Sequence, residues 1–169
     1  MDLSEQDLKK IKSLHVMLKM PIWILERETN RVLKSYKSIY KHPISYEFKE
    51  KNISDEVVRF YSGMLNEIFL CLWYQDVRIV IGAFRINNVT STEFSHVYDN
   101  LTPENKKILS EKECWEYYSS LPVYPLGDIR DYLILLGFLF DMNLEEIYSE
   151  ELHKQVTENQ LELVWKSAE

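Results

Sequence analysis

The sequence predicts an α+β protein, an antiparallel sheet flanked by helices with a helical C-terminal half. Three observations lead there. Two β-branched and aromatic runs, Asn66 to Tyr74 and Val77 to Phe84, are separated only by Gln75-Asp76, and so short a connection makes them antiparallel neighbours. Beyond Asn88 helix-start signals recur: Thr90 with Glu93, Thr102-Pro103-Glu104, and Ser110 with Glu113. Each offers a side-chain oxygen to the orphan amides of a first turn. Finally, 169 residues contain only 4 Gly and 5 Pro, so regular elements with short connections dominate.

The elements follow in order. Ser4, with Asp7 three residues on, caps a first helix whose Leu8, Ile11, Leu14 and Leu18 share one face, and Pro21 stops it. Ile22 to Leu25 and Val32 to Tyr36 read as a hairpin around the polar turn Glu26 to Arg31. Lys37 to Asn52 reads as a loop containing Pro43, and Ser54 to Met64 as a short helix. After the two central strands and the capped helices, Asp128 to Asp141 repeats apolar residues at helical spacing, and Asn143 can end that helix. A last helix is expected from Leu144 to the end of the sequence. This gives residues 1–143 as one domain and 144–169 as a C-terminal helix for dimerisation or linkage.

Charge and composition exclude several functions. Net charge is −7, and the densest basic stretch, Lys34 to Lys51, holds five Lys interrupted by Pro43, Glu47 and Glu50. That pattern is a solvated loop, not a phosphate-neutralising face. The longest apolar run, Tyr132 to Phe140, has 9 residues, against roughly 20 for a membrane span. Met1 to Lys10 is too polar for a signal peptide. Cys71 and Cys114, the only cysteines, read as reduced thiols, so a cytoplasmic location is expected. Catalytic and metal-binding patterns are absent: the glycines at 63, 82, 127 and 137 are isolated, and the four His are scattered. No catalytic residue, metal or cofactor is expected.

Pairing the central strands about Gln75-Asp76 divides them into two faces. Ile68, Leu70, Leu72, Ile79, Ile81 and Ala83 form an aliphatic face that helices must cover. Glu67, Phe69, Cys71, Trp73, Arg78, Val80, Gly82 and Phe84 form an aromatic one, with Gly82 opening space opposite Phe69. An apolar surface with a few placed polar groups suits a small molecule. Phe69, Trp73, Arg78 and Phe84 are therefore the candidate ligand-binding residues, with Arg78 or Glu67 as the orienting charge. The alternative is a second packing face whose charges sit at strand ends in water. In the last helix, Leu152, Val156, Asn159 and Leu163 alternate steps of four and three, a short coiled-coil seam that suits a homodimer or packs back on the domain. Leu161, Val164 and Trp165 widen its apolar surface.

Three stretches resemble a known family: Leu14-His15-Val16-Met17-Leu18-Lys19-Met20-Pro21-Ile22, the strand end Ile81-Gly82-Ala83-Phe84, and Leu121-Pro122-Val123 followed by an apolar helix. Together, across Leu8 to Phe140, they look like the N-terminal sensor region of Gram-positive AraC-type transcription regulators, the YSIRK-associated surface-antigen regulators in particular. The resemblance implies a GAF- or PAS-like sensor domain and two DNA-binding helix-turn-helix units beyond Glu169. It supplies no ligand residues. The expected function is ligand sensing and dimerisation in a transcription regulator, with a small-molecule or protein signal and DNA contacted only through a region outside this sequence. The alternative is a stand-alone protein–protein interaction domain without enzymatic activity.

Overall fold

A computed structural model describes residues 3–37, 44–48, 58–142 and 163–167. Its centre is a five-stranded antiparallel sheet of β1 (Ile22–Glu26), β2 (Val32–Tyr36), β4 (Val58–Ser62), β5 (Ile68–Tyr74) and β6 (Val77–Phe84). The strand order is β2-β1-β6-β5-β4. β3 (Ile44–Phe48) stands outside it and pairs with β7 (Leu163–Ser167) in a separate two-stranded sheet. Helix α1 (Glu5–Leu18) precedes the sheet, and α2 (Ser91–Asp99), α3 (Pro103–Ile108), α4 (Glu111–Ser120) and α5 (Leu126–Phe140) follow it. The protein is α+β, an antiparallel sheet with helices on both faces.

The helix starts lie where the capping residues put them. Ser4 and Asp7 form a reciprocal capping box on α1, and Ser110 and Glu113 form another on α4. Thr90 and Thr102 each accept one first-turn amide, from Glu93 and Asn105. α1 ends in a left-handed Lys19, and His15 Nδ1 donates to the Met20 carbonyl at 2.6 Å just past that end. Tyr74 adds a tertiary tie, its hydroxyl donating to Asp7 Oδ1 at 2.9 Å. Burial pushes the Asp7 carboxyl up, but hydrogen bonds from Tyr74 and Ser4 outweigh it and hold the carboxyl below its ordinary value.

Three elements differ from the sequence expectations. Val58–Ser62 is a strand, not part of a helix. The Ser54-Asp55-Glu56 start resembles a helix cap, yet Val58 and Phe60 alternate with Arg59 and Tyr61 at a period of two, and pairing with β5 along its whole length decides the outcome. Ile44–Phe48 is a strand within the expected loop. Leu163–Ser167 is also a strand, so the expected last helix does not run to the chain end, and Leu163, Val164 and Trp165 belong to a β ladder. The rest of that helix, with Leu152, Val156 and Asn159, lies outside the described residues.

The sheet is buried on both sides. On one face Ile22, Ile24, Leu70, Leu72, Ile79 and Ile81 pack against Ile11 and Leu14 of α1 and Ile129, Leu133 and Leu136 of α5. On the other, Leu25, Tyr61, Phe69, Cys71 and Val80 pack beneath Phe94 of α2 and Cys114, Tyr117 and Tyr118 of α4. The second layer is tied to the sheet by Arg85. Its backbone pairs with the chain around Val123, through Arg85 N to Pro122 O at 2.8 Å and Tyr124 N to Arg85 O at 2.7 Å. Its guanidinium donates to the carbonyls of Leu121 and Ser119 at the end of α4, where a helix leaves carbonyls without intrahelical partners.

The division of the central strands needs one correction. The register of β5 and β6 shifts between Ile68 and Phe69: Phe69 faces Gly82, while Ile68 faces Phe84. Ala83 is the extra residue, and beyond it the two faces exchange. Ala83 packs with the α2–α4 layer and Phe84 with α1 and α5, the reverse of the unbroken alternation. Gly82 permits this because a Cβ there would lie 2.8 Å from both the Ile68 carbonyl and Phe69 Cδ1. Gly82→Ala is therefore expected to destabilise the fold by about 1–3 kcal/mol, measured by urea denaturation. An unchanged midpoint would show that the strands can part at this position without cost.

Candidate functional site

The aromatic face is occupied by its own side chains. Phe69 fills the space above Gly82 and lies 6.4 Å, centroid to centroid, from Trp23 of β1. Trp73 and Arg78 are direct cross-strand partners. The Arg78 guanidinium carbon sits 4.2 Å from the Trp73 ring centroid, and that of Arg27, from the β1–β2 turn, sits 4.5 Å from it. Such contacts draw cations to the negative face of an indole. Arg78 Nη1 also donates to Asn30 Oδ1 at 3.1 Å, where Asn30 takes a left-handed turn conformation with φ of 55°. Arg78 is 5% exposed and Trp73 9%. The arginine is thus held inside the fold and not at a wet strand end. Trp73 Nε1 has no hydrogen-bond partner among the described residues.

The other charge on this face, Glu67, is fully buried at the opposite end of β5. Its carboxylate covers Gly63 and accepts the Leu65 amide at 3.0 Å. Burial pushes its pKa up to about 7 against an ordinary 4.5, with the Leu65 and Glu67 amides opposing. The two thiols are shifted away from reactivity. Burial raises Cys71 to about 12, with Arg78 opposing, and raises Cys114 to about 11, reinforced by Glu113, Glu67 and Glu111. A thiol so placed is neither nucleophile nor metal ligand near neutral pH. Among the described residues, no group of three His, Cys, Asp or Glu could hold a metal ion. Nor is any helix there long and apolar enough to cross a membrane.

Of the four candidate ligand residues, the structure brings together Phe69, Trp73 and Arg78 on one face and places Phe84 on the other. It is beside Phe84 that empty space occurs. A cavity of about 40 Å³ lies between the sheet, the C-terminal half of α1 and the inner side of α5. Leu14 and Leu18 line it from α1, Phe60, Leu70, Ile81 and Phe84 from the strands, and Ile129, Leu133 and Leu136 from α5. Met20, Tyr132 and Tyr124 complete the wall, and the Tyr124 ring meets Phe84 edge-on at 5.8 Å and Tyr132 edge-on at 4.8 Å. The Tyr124 hydroxyl donates to the Leu18 carbonyl at 3.1 Å, which ties the segment entering α5 to the last turn of α1. The cavity is partly open, and the most exposed residue of its lining is Leu135, at 38%.

Sequence reasoning missed this cavity because the face carrying it looked purely aliphatic. A signal existed in the spacing of Tyr124 and Tyr132, two aromatic residues bearing hydroxyls, one just before and one within the first half of the helix. Their placement depends on the pairing of Arg85 with the chain around Val123, which no local pattern announces. No family model, curated protein or solved structure matches the chain. The class that fold and site define is therefore an α+β domain with an apolar cavity on one face of its sheet, among the described residues.

Glu67 makes stability depend on pH in a defined direction. Its folded pKa lies above its unfolded value, so its favourable contribution is complete below about pH 4.5 and is lost as pH rises through about 7. That interval corresponds to roughly 3 kcal/mol. In denaturant titrations, Glu67→Gln is expected to gain stability over the parent between pH 5 and pH 8 by most of that amount. Parallel stability–pH curves for the two proteins would show that the carboxyl titrates normally.

Proposed function

We propose that the chain is the ligand-sensing and dimerisation domain of a cytoplasmic transcription regulator of the AraC type, built on a GAF- or PAS-like sheet and lacking enzymatic activity of its own. The observation that carries this reading is the apolar cavity beneath α5. It sits between two helices and a sheet, and one wall, Tyr124, hydrogen-bonds across from the α5 side to α1. Filling it would favour one arrangement of α5 against α1 over another, which is the differential affinity a sensor needs. Supporting features are the raised thiol pKa values, which disfavour nucleophilic chemistry, and the net charge of −7, which leaves DNA contact to another part of the regulator.

The second reading, a stand-alone interaction domain, draws on the outer helical surface. Phe138 is 82% exposed, and Val16 and Met17 on α1 are also exposed. A helix apolar on both its inner and outer sides usually meets a partner. Dimerisation is compatible with either reading, and the gene separates them. An in-frame helix-turn-helix pair beyond codon 169 is expected for the regulator, whereas a stop codon directly after it overturns that half of the proposal.

Sedimentation tests the dimer. If the outer face of α5 forms the interface, Phe138→Ser is expected to raise the dimer dissociation constant at least about tenfold, since burying one such ring contributes roughly 1.5–3 kcal/mol. An unchanged monomer–dimer equilibrium would place the interface elsewhere.

A further inference from the structure

We infer that the cavity between α1, the sheet and α5 binds an uncharged hydrocarbon group, a short alkyl chain or small aryl ring, and rejects carboxylates of the same size. This names the ligand class of the sensor proposed above and rests on that reading only for its biological role; binding can be measured without any regulatory output.

The lining carries the argument. Leu14, Leu70, Phe84 and Leu133 offer only carbon. Of the two hydroxyls nearby, Tyr124 Oη spends its proton on the Leu18 carbonyl, which leaves the Tyr132 hydroxyl as the single polar group at the rim. Burial raises both phenols, so they stay neutral near pH 7. Asp128 and Asp131 on α5 add negative charge near Tyr132 and push its hydroxyl further up. A carboxylate entering here would lose its water among aliphatic walls, beside two acidic groups, with only the neutral Tyr132 hydroxyl to meet it. A neutral chain loses nothing comparable and gains contacts with aliphatic walls.

The size also suits a short group. A water needs roughly 10–15 Å³, and the cavity has about 40 Å³ with an open mouth. Water there would find few hydrogen-bond partners, which favours a dry site. The inserted end of a ligand would be a few carbons long, with the remainder leaving past Leu135.

The test compares 1-hexanol with hexanoate at pH 7.5 on the whole chain, read by methyl NMR and by thermal unfolding. Hexanol is expected to shift methyl signals of Leu14, Leu70 and Leu133 saturably and to raise Tm, and hexanoate to bind at least tenfold more weakly. Leu70→Phe, which fills the cavity, is expected to weaken hexanol binding tenfold or more, while Arg27→Ala, on the opposite face, leaves it unchanged. Equal binding of alcohol and carboxylate, or saturable shifts confined to other residues, overturns the inference. So does the absence of any saturable shift. Should Leu70→Phe fail to fold, the two-ligand comparison on the parent chain still decides. A negative binding result leaves the regulator reading to the gene beyond codon 169, so the two fail separately.

Discussion

The rest of the structure depends on the burial of β5 and β6 on both faces. Every residue of β6 is buried, and all of β5 except Tyr74. Strands in that position need a layer on each side, because an uncovered apolar face would remain in water at a cost of about 25 cal/mol per Å². α1 and α5 supply one layer and α2 to α4 the other. Burial on both sides also traps whatever polar groups the strands carry. Arg78 finds an indole face and an Asn30 oxygen, and Glu67 a backbone amide, while burial keeps the thiols protonated, with Arg78 opposing it at Cys71 without outweighing it.

The two layers cover the sheet with different side chains. The α2–α4 layer brings flat aromatic rings, Phe94 with Tyr118 at 5.1 Å and with Trp115 at 5.3 Å, and Arg85 fastens it at the end of α4. On the other face, the path into α5 runs through the pairing with Arg85 and then past Tyr124. That hydroxyl is committed to α1, and the ring stands edge-on to Phe84 instead of lying against the sheet. Space remains between Tyr124, Leu14 and Leu133. The same contact thus joins the two helices and keeps them from closing over the sheet, which is why the cavity and the α1–α5 arrangement are physically coupled.

Much of the fold was legible. Local signals sufficed where a single side chain settles a local question: Ser4, Thr102 and Ser110 start their helices, and Gln75-Asp76 joins its two strands. They failed where a distant partner decides. Val58–Ser62 carries a strand alternation behind a cap-like start, and only its ladder with β5 selects between them. Leu163, the last position of the expected helical seam, instead begins the strand Leu163–Ser167 through pairing with Ile44–Phe48. The site was legible in its chemistry and not in its place. Trp73 and Arg78 do meet, but as a filled contact, whereas Phe84 reaches the cavity only because one extra residue at Ala83 turns it to the other face.

The central claim is that an apolar cavity lies on the α1–α5 face of the sheet, while Trp73 and Phe69 on the other face are met by Arg27, Arg78 and Trp23. Xenon tests it most directly, since it enters dry apolar cavities without needing a hydrogen bond. A crystal of the protein pressurised with xenon is expected to show an atom between Leu14, Leu70, Phe84 and Leu133 and none beside Trp73 and Phe69. Xenon beside Trp73 and Phe69, with none beneath α5, would contradict the account.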